Sequence, residues 1–146
     1  MALIVSTAMR NQLLDGGSLK DALASSLIFI YSGAPPANAD SAVTGVLLTT
    51  ISVNSTGTGV NLGDAVDGAI PKEPSEAWSG VNVATGTAGY FRWGTADDDG
   101  TLSTAFARLQ GTCGLAGADL NMSSVNLVAS ATQTIDAATI AMPATA

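Results

Sequence analysis

Leu27-Ile-Phe-Ile-Tyr31, followed by Ser32-Gly-Ala-Pro-Pro36, is the stretch whose reading decides the fold. Branched and aromatic side chains dominate its first half, and these fit a pleated, half-buried backbone better than a helix. Pro35 and Pro36 end the run, because neither has the N–H that a central strand must donate.

The same texture continues towards the C-terminus. Residues 33–45 read as a loop of small and polar side chains. Residues 46–53 read as a second strand, with Leu47, Thr49, Ile51 and Val53 on one face. A turn-rich connection covers 54–59, and residues 60–70 alternate loosely around Gly63 and Gly68. Residues 71–80 read as a polar, Pro-containing connection. Residues 81–93 predict one or two strands bent near Gly86, and Asp97-Asp-Asp-Gly100 predicts a hairpin turn. Strands are expected again over 101–112, 118–123, 125–128 and 132–142. In the last, Thr134, Asp136, Ala138, Ile140 and Met142 oppose Ile135, Thr139 and Ala141. About seven to nine short strands at this spacing, with no helices between them, predict a mainly β chain folded as an antiparallel, jelly-roll-like β-sandwich.

Towards the N-terminus the pattern turns helical. Ser6 or Thr7 can cap a helix on which Met9, Leu13 and Leu14 share a face, and Asp15-Gly16-Gly17 stops it. Ser18, with Asp21 three residues on, opens a second short helix whose apolar face is Leu19, Ala22 and Leu23. Helices this short need a surface to pack on. The chain is therefore read as an N-terminal helical docking segment, 1–26, and a β-sandwich domain, 27–146. The segment is expected to reach a neighbour; capping the chain's own core is the competing arrangement.

Composition bears on function. The chain has no His, one Cys and five Lys plus Arg in 146 residues. Acid–base catalysis near neutral pH and tight transition-metal sites rely mainly on His and Cys. The chain is thus read as not an enzyme, with no cofactor, metal or catalytic residue. A net charge of −7, with scattered cations, argues against nucleic acid. The apolar start is too short for a signal-peptide core, and no apolar run is long enough to span a membrane. Cys113 has no disulfide partner and reads as a buried structural thiol. Hydrophobic residues at 47% against 12% charged suggest that partners cover part of the surface.

Three clusters compete for a functional role. Asp97–Asp99 could hold a hard cation but lacks spaced ligands, so a solvated turn is the preferred reading. Glu73 and Glu76 beside Trp78 resemble a glycosidase layout without the apolar pocket that raises one carboxyl. Trp78, Tyr90, Arg92 and Trp93 are candidates for an interface or a sugar-stacking platform, or else core anchors. In the core reading, Phe91 faces inward, or Tyr90 and Arg92 do. Leu3, Ile4, Val5 and Met9 complete the interface candidates.

Several stretches also carry a resemblance. They are Ser6-Thr-Ala-Met-Arg-Asn-Gln-Leu-Leu14, Gly17-Ser-Leu-Lys-Asp-Ala-Leu23 and Ile28-Phe-Ile-Tyr-Ser-Gly33. Further on come Trp78-Ser-Gly-Val-Asn-Val-Ala-Thr-Gly-Thr-Ala88, Arg108-Leu-Gln-Gly111, Gly117-Ala-Asp-Leu-Asn121 and Leu127-Val-Ala-Ser-Ala-Thr-Gln-Thr-Ile135. Together, over nearly the whole chain, they resemble small virion structural proteins of tailed bacteriophages. The resemblance implies a particle component, made in the host cytoplasm and sited on the capsid exterior or the tail, and carries over no site motif. Capsid decoration, a cement role, is the leading expectation. The expected partners are the major capsid protein and further copies of the chain, with a trimer by family analogy. A tail, baseplate or fibre part and a carbohydrate-binding module are the alternatives.

Overall fold

The branched run identified above is the centre of the sheet. In the computed structural model, which describes residues 3–141, β1 (Ile4–Val5), α1 (Thr7–Asn11), a π-helical turn (Gln12–Gly16) and α2 (Leu19–Ala22) come first. β2 (Ser26–Ser32), β3 (Leu47–Val53), β4 (Ala69–Pro71), β5 (Trp78–Val81), β6 (Gly86–Thr95) and β7 (Arg108–Gly114) follow. β8 (Leu120–Asn121), β9 (Asn126–Leu127), β10 (Thr132–Ile135) and β11 (Thr139–Ala141) complete the chain. The main sheet runs β1-β7-β6-β2-β3-β5-β10, with β8 added to β7 and β9 to β6; β11 and β4 form a separate pair. All pairings are antiparallel except β7 with β8. The fold is mainly β and sandwich-like, with a short N-terminal helical segment.

The sheet closes over itself at β3. Its first residues pair with β2, from Ile28↔Ile51 to Tyr31↔Leu47, whereas Ser52 and Val53 pair with β5. β5 thereby swings over β6, although β2 and β3 lie between them in the sheet. Trp78 meets Trp93 edge to face with ring centroids 5.4 Å apart, an arrangement that suits the ring quadrupoles. Ile28, Ile30, Leu48, Ile51, Phe91 and Leu109 fill the space around the two indoles. Each such side chain contributes about 1.5–3 kcal/mol by leaving water.

Local irregularities explain where the expected strands differ. Leu48 joins Ile51 in the core in place of Leu47, because the β2–β3 register shifts between Ile30 and Tyr31, while Val53 packs against the core half-buried. The connection expected at 71–80 already contains β5. Gly80 allows the close pairing there: a Cβ on it would collide with the Thr50 carbonyl oxygen of the adjacent strand. The Asp97–Gly100 turn does not close a tight hairpin, since β7 starts only at Arg108. The strand expected over 132–142 breaks at 136–138. Ile135 and Ile140, assigned above to opposite faces, are both buried because β11 leaves the main sheet to pair with β4. Met142 lies outside the described residues.

The N-terminal segment packs on the chain's own sheet, the arrangement set against the reaching arm above. Ser6 is the N-cap of α1: its hydroxyl accepts from the Met9 N–H at 3.1 Å and the Arg108 N–H at 2.9 Å, and donates to the Phe106 carbonyl at 2.8 Å. Ile4 and Val5 pair with Gln110 and Leu109. Ser18 caps α2 through the Asp21 N–H. Met9 and Leu23 are fully buried in the main core. The predicted apolar face fails only at its end. The π-helical turn rotates the next leucines outward, leaving Leu13 40% and Leu14 84% exposed. Met9→Ala should therefore lower the unfolding free energy by about 2–5 kcal/mol in chemical denaturation, whereas Leu14→Ala should change it by less than about 0.5 kcal/mol.

Candidate functional site

β6 alternates between two environments, and both are buried. Phe91 and Trp93 enter the apolar core, while Tyr90 and Arg92 point to the opposite face, beside Gln110 and Arg108 of β7. The two core readings of this stretch are thus both realised. The second face is polar, and the segment 33–46 and the connection 96–107 close over it.

Arginine side chains hold this cover down. The Arg108 guanidinium donates Nε to Asp98 Oδ2 at 2.7 Å and a terminal nitrogen to Oδ1 at 2.8 Å. Its other N–H groups reach the carbonyls of Ala39, Asp40 and Thr101. Arg92 donates twice to Gln110 Oε1 and once to the Ser41 carbonyl. Gln110 then donates to the Pro36 carbonyl at 3.0 Å. Tyr90 stacks on Tyr31, and its hydroxyl donates to the Thr44 carbonyl and accepts from the Thr44 N–H. Burial, then the neighbouring Arg108 charge, lower the Arg92 pKa; burial and Tyr90 push Tyr31 up to about 12.

Asp40 fastens the same cover to the helical segment. Its carboxylate accepts from the Thr7 N–H at 2.8 Å and the Thr7 hydroxyl at 2.5 Å, at the start of α1. The Thr7 hydroxyl bond, above all, lowers the Asp40 pKa.

The other clusters resolve into structural roles. Asp98 is not a solvated turn residue but the buried partner of Arg108, and Asp99 accepts from Thr101. Glu76 accepts from the Asn61 N–H and side-chain amide and from the Trp78 indole N–H. Burial pushes its carboxyl up, but these bonds outweigh it and the pKa falls. A general acid needs the opposite shift. Lys72 lies over the Trp78 ring and donates to the Glu76 carbonyl. Burial and Asp119 push the Cys113 thiol up to about 12, away from reactive thiolate character. Among the described residues no three His, Cys, Asp or Glu side chains group as metal ligands.

The interface candidates are corrected accordingly. Met9, Trp78, Tyr90, Arg92 and Trp93 are all buried within the chain, so none forms an outer surface or a sugar-stacking platform. Their size decides this: in a chain of small side chains, the large ones are needed to fill the interior. Leu3, Ile4 and Val5 are half-buried, with Leu3 and Val5 against the core.

The open apolar feature lies elsewhere. A groove of about 540 Å³ runs between the helical segment and the β4–β11 pair, with Leu13, Leu19, Ala69, Ile70 and Ile140 in its walls. Lys20 and Asp64 form an exposed ion pair at its edge, 2.9 Å apart. Sequence reasoning missed this groove because Leu13 and Leu14 were placed inside. The available signal was the adjacent pair itself, since the two side chains are about 100° apart around a helix.

Compared with known proteins, the chain matches no family model, no curated protein and no solved structure.

Two outcomes check the polar face. Asp98→Asn should destabilise the fold by about 3–5 kcal/mol, because it leaves the Arg108 charge buried without its carboxylate; denaturant titration reads this. The stabilisation from Asp40 should be fully present above its ordinary value of 3.8 and fade as the pH falls through its lower folded value. Asp40→Asn should then be less stable than the parent at neutral pH, with the gap closing in acid.

Proposed function

We propose that the chain is a non-enzymatic structural subunit of a tailed-phage particle, and specifically a decoration protein on the outer surface of the head. The observation that carries this reading is the division between inside and outside. Trp78, Tyr90, Trp93 and the guanidinium groups of Arg92 and Arg108, which could bind small ligands or phosphates, are spent on the fold, while apolar side chains such as Leu14, Val66, Leu102 and Leu115 remain exposed. That surface suits burial against other protein subunits.

The resemblance to small virion proteins supports the same reading. The partners are the major capsid protein and further copies of the chain, arranged as symmetric oligomers, a trimer by analogy. A copy that binds only the mature lattice stabilises it by mass action, without any chemistry. With Arg92 and Arg108 inside, the surface has few cations to neutralise phosphates, which disfavours nucleic acid as a partner.

Quantitative mass spectrometry of purified virions tests the proposal. A copy number near that of the major capsid protein is expected. A few to some tens of copies would move the chain to the tail or a vertex, and absence from the particle would overturn the structural reading.

A further inference from the structure

We propose that the groove between the helical segment and the β4–β11 pair is the docking site for a partner chain segment that combines apolar anchors with Lys or Arg. The inference rests on the reading of the chain as an assembly subunit and names the contact through which it assembles. The walls of this groove are more apolar than those of the groove beside β8, and carboxylates outnumber the one cation at its rim.

The walls supply the anchor pocket. Leu19, Ala69, Ile70 and Ile140 line a groove of about 540 Å³, within the size range of clefts that enclose several apolar groups. At its helical end Leu13 is 40% and Leu14 84% exposed, and Val66, beside the lining residue Ala65, is 66% exposed. Apolar side chains left in water on both flanks extend the buried area an occupant would gain, each giving free energy as it is covered.

The rim determines what kind of occupant fits. Lys20 is already paired with Asp64 at 2.9 Å. Asp21 and Glu73 lie close enough to act on the same ammonium, Asp67 adjoins the lining residue Gly68, and Asp15 follows Leu14. Lys20 is thus outnumbered by carboxylates. A second copy related by a two-fold axis through the groove would bring the same acidic rim against this one, and like charges across an interface cost several kcal/mol. An acidic or purely apolar segment would leave the carboxylates uncompensated. A segment with apolar side chains flanked by Lys or Arg satisfies both the floor and the rim.

The test uses the full chain and a short blocked peptide with alternating leucine and lysine, against its counterpart with glutamate in place of lysine. Binding is followed by amide chemical shifts. The lysine peptide should shift residues of α2, β4 and β11 and bind roughly tenfold more tightly than the glutamate peptide, the preference fading in high salt. The variant Asp64→Asn/Asp67→Asn should lose most of that preference. Asparagine tolerates the positive φ of residue 67, so the fold is preserved. Leu13→Ser/Leu14→Ser, at exposed positions, should weaken both peptides alike.

Equal affinity for the two peptides, shifts elsewhere, no binding, or self-association through this groove would each overturn the proposal. So would binding gained only after residues 142–146 are removed, which would assign the groove to the chain's own terminus. Failure here leaves the virion copy number untouched, so the docking site and the assembly reading are judged separately.

Discussion

The structure depends on supplying hydrogen-bond donors to the carbonyls of a long segment without secondary structure. Residues 33–46 cross the outer face of β6 and β7, and a backbone that covers a strand cannot rely on water for all its polar groups. The carbonyls of Pro36, Ala39, Asp40, Ser41 and Thr44 are met by Gln110, Arg108, Arg92 and Tyr90. These four donors stand on two neighbouring strands, so the sheet's own register spaces them along the loop. Without them the segment would lift, and the polar face would have to be solvated or rebuilt.

This arrangement has an electrostatic cost. Two guanidinium groups are buried side by side and only one, Arg108, has a carboxylate partner. Arg92 is balanced by the Gln110 amide oxygen and the Ser41 carbonyl, which are dipoles rather than charges. Arginine tolerates this better than lysine, because its charge is delocalised and its planar fork meets several acceptors at once. Asp40 extends the network to α1, so the loop, the sheet and the N-terminal segment share one set of bonds. A change at any member should be felt by all three.

Much of the fold was legible because its signals are local. The capping of α1 by Ser6 and of α2 by Ser18, the central strand before Pro35 and Pro36, and the mainly β class follow from residue type and spacing. The misreadings have non-local causes. Gly80 sits in a strand because a neighbouring backbone passes close to it, and Leu48 is buried because of a register shift. The broken face at 136–138 arises because β11 pairs with β4. The candidate surface was least legible of all. Large side chains such as Trp78, Trp93 and Arg92 suit an interface and a core equally well, and only their positions distinguish the two. The groove in turn depends on one π-helical turn, of which the adjacent Leu13 and Leu14 were the one trace in the sequence.

The placement of charge joins these points. Burying Arg92 and Arg108 withdraws two of the five cations from the surface and leaves Arg10, Lys20 and Lys72 as the remainder. Arg108 takes Asp98 inside with it, so only the Arg92 charge is withdrawn without a counter-ion, and the exterior is slightly more acidic than the composition suggests. Such a surface resists sticking to polyanions. The internal arginines thus do two things through one constraint. They hold down the loop that completes the fold, and by leaving the surface they take their charge out of reach of any polyanion outside.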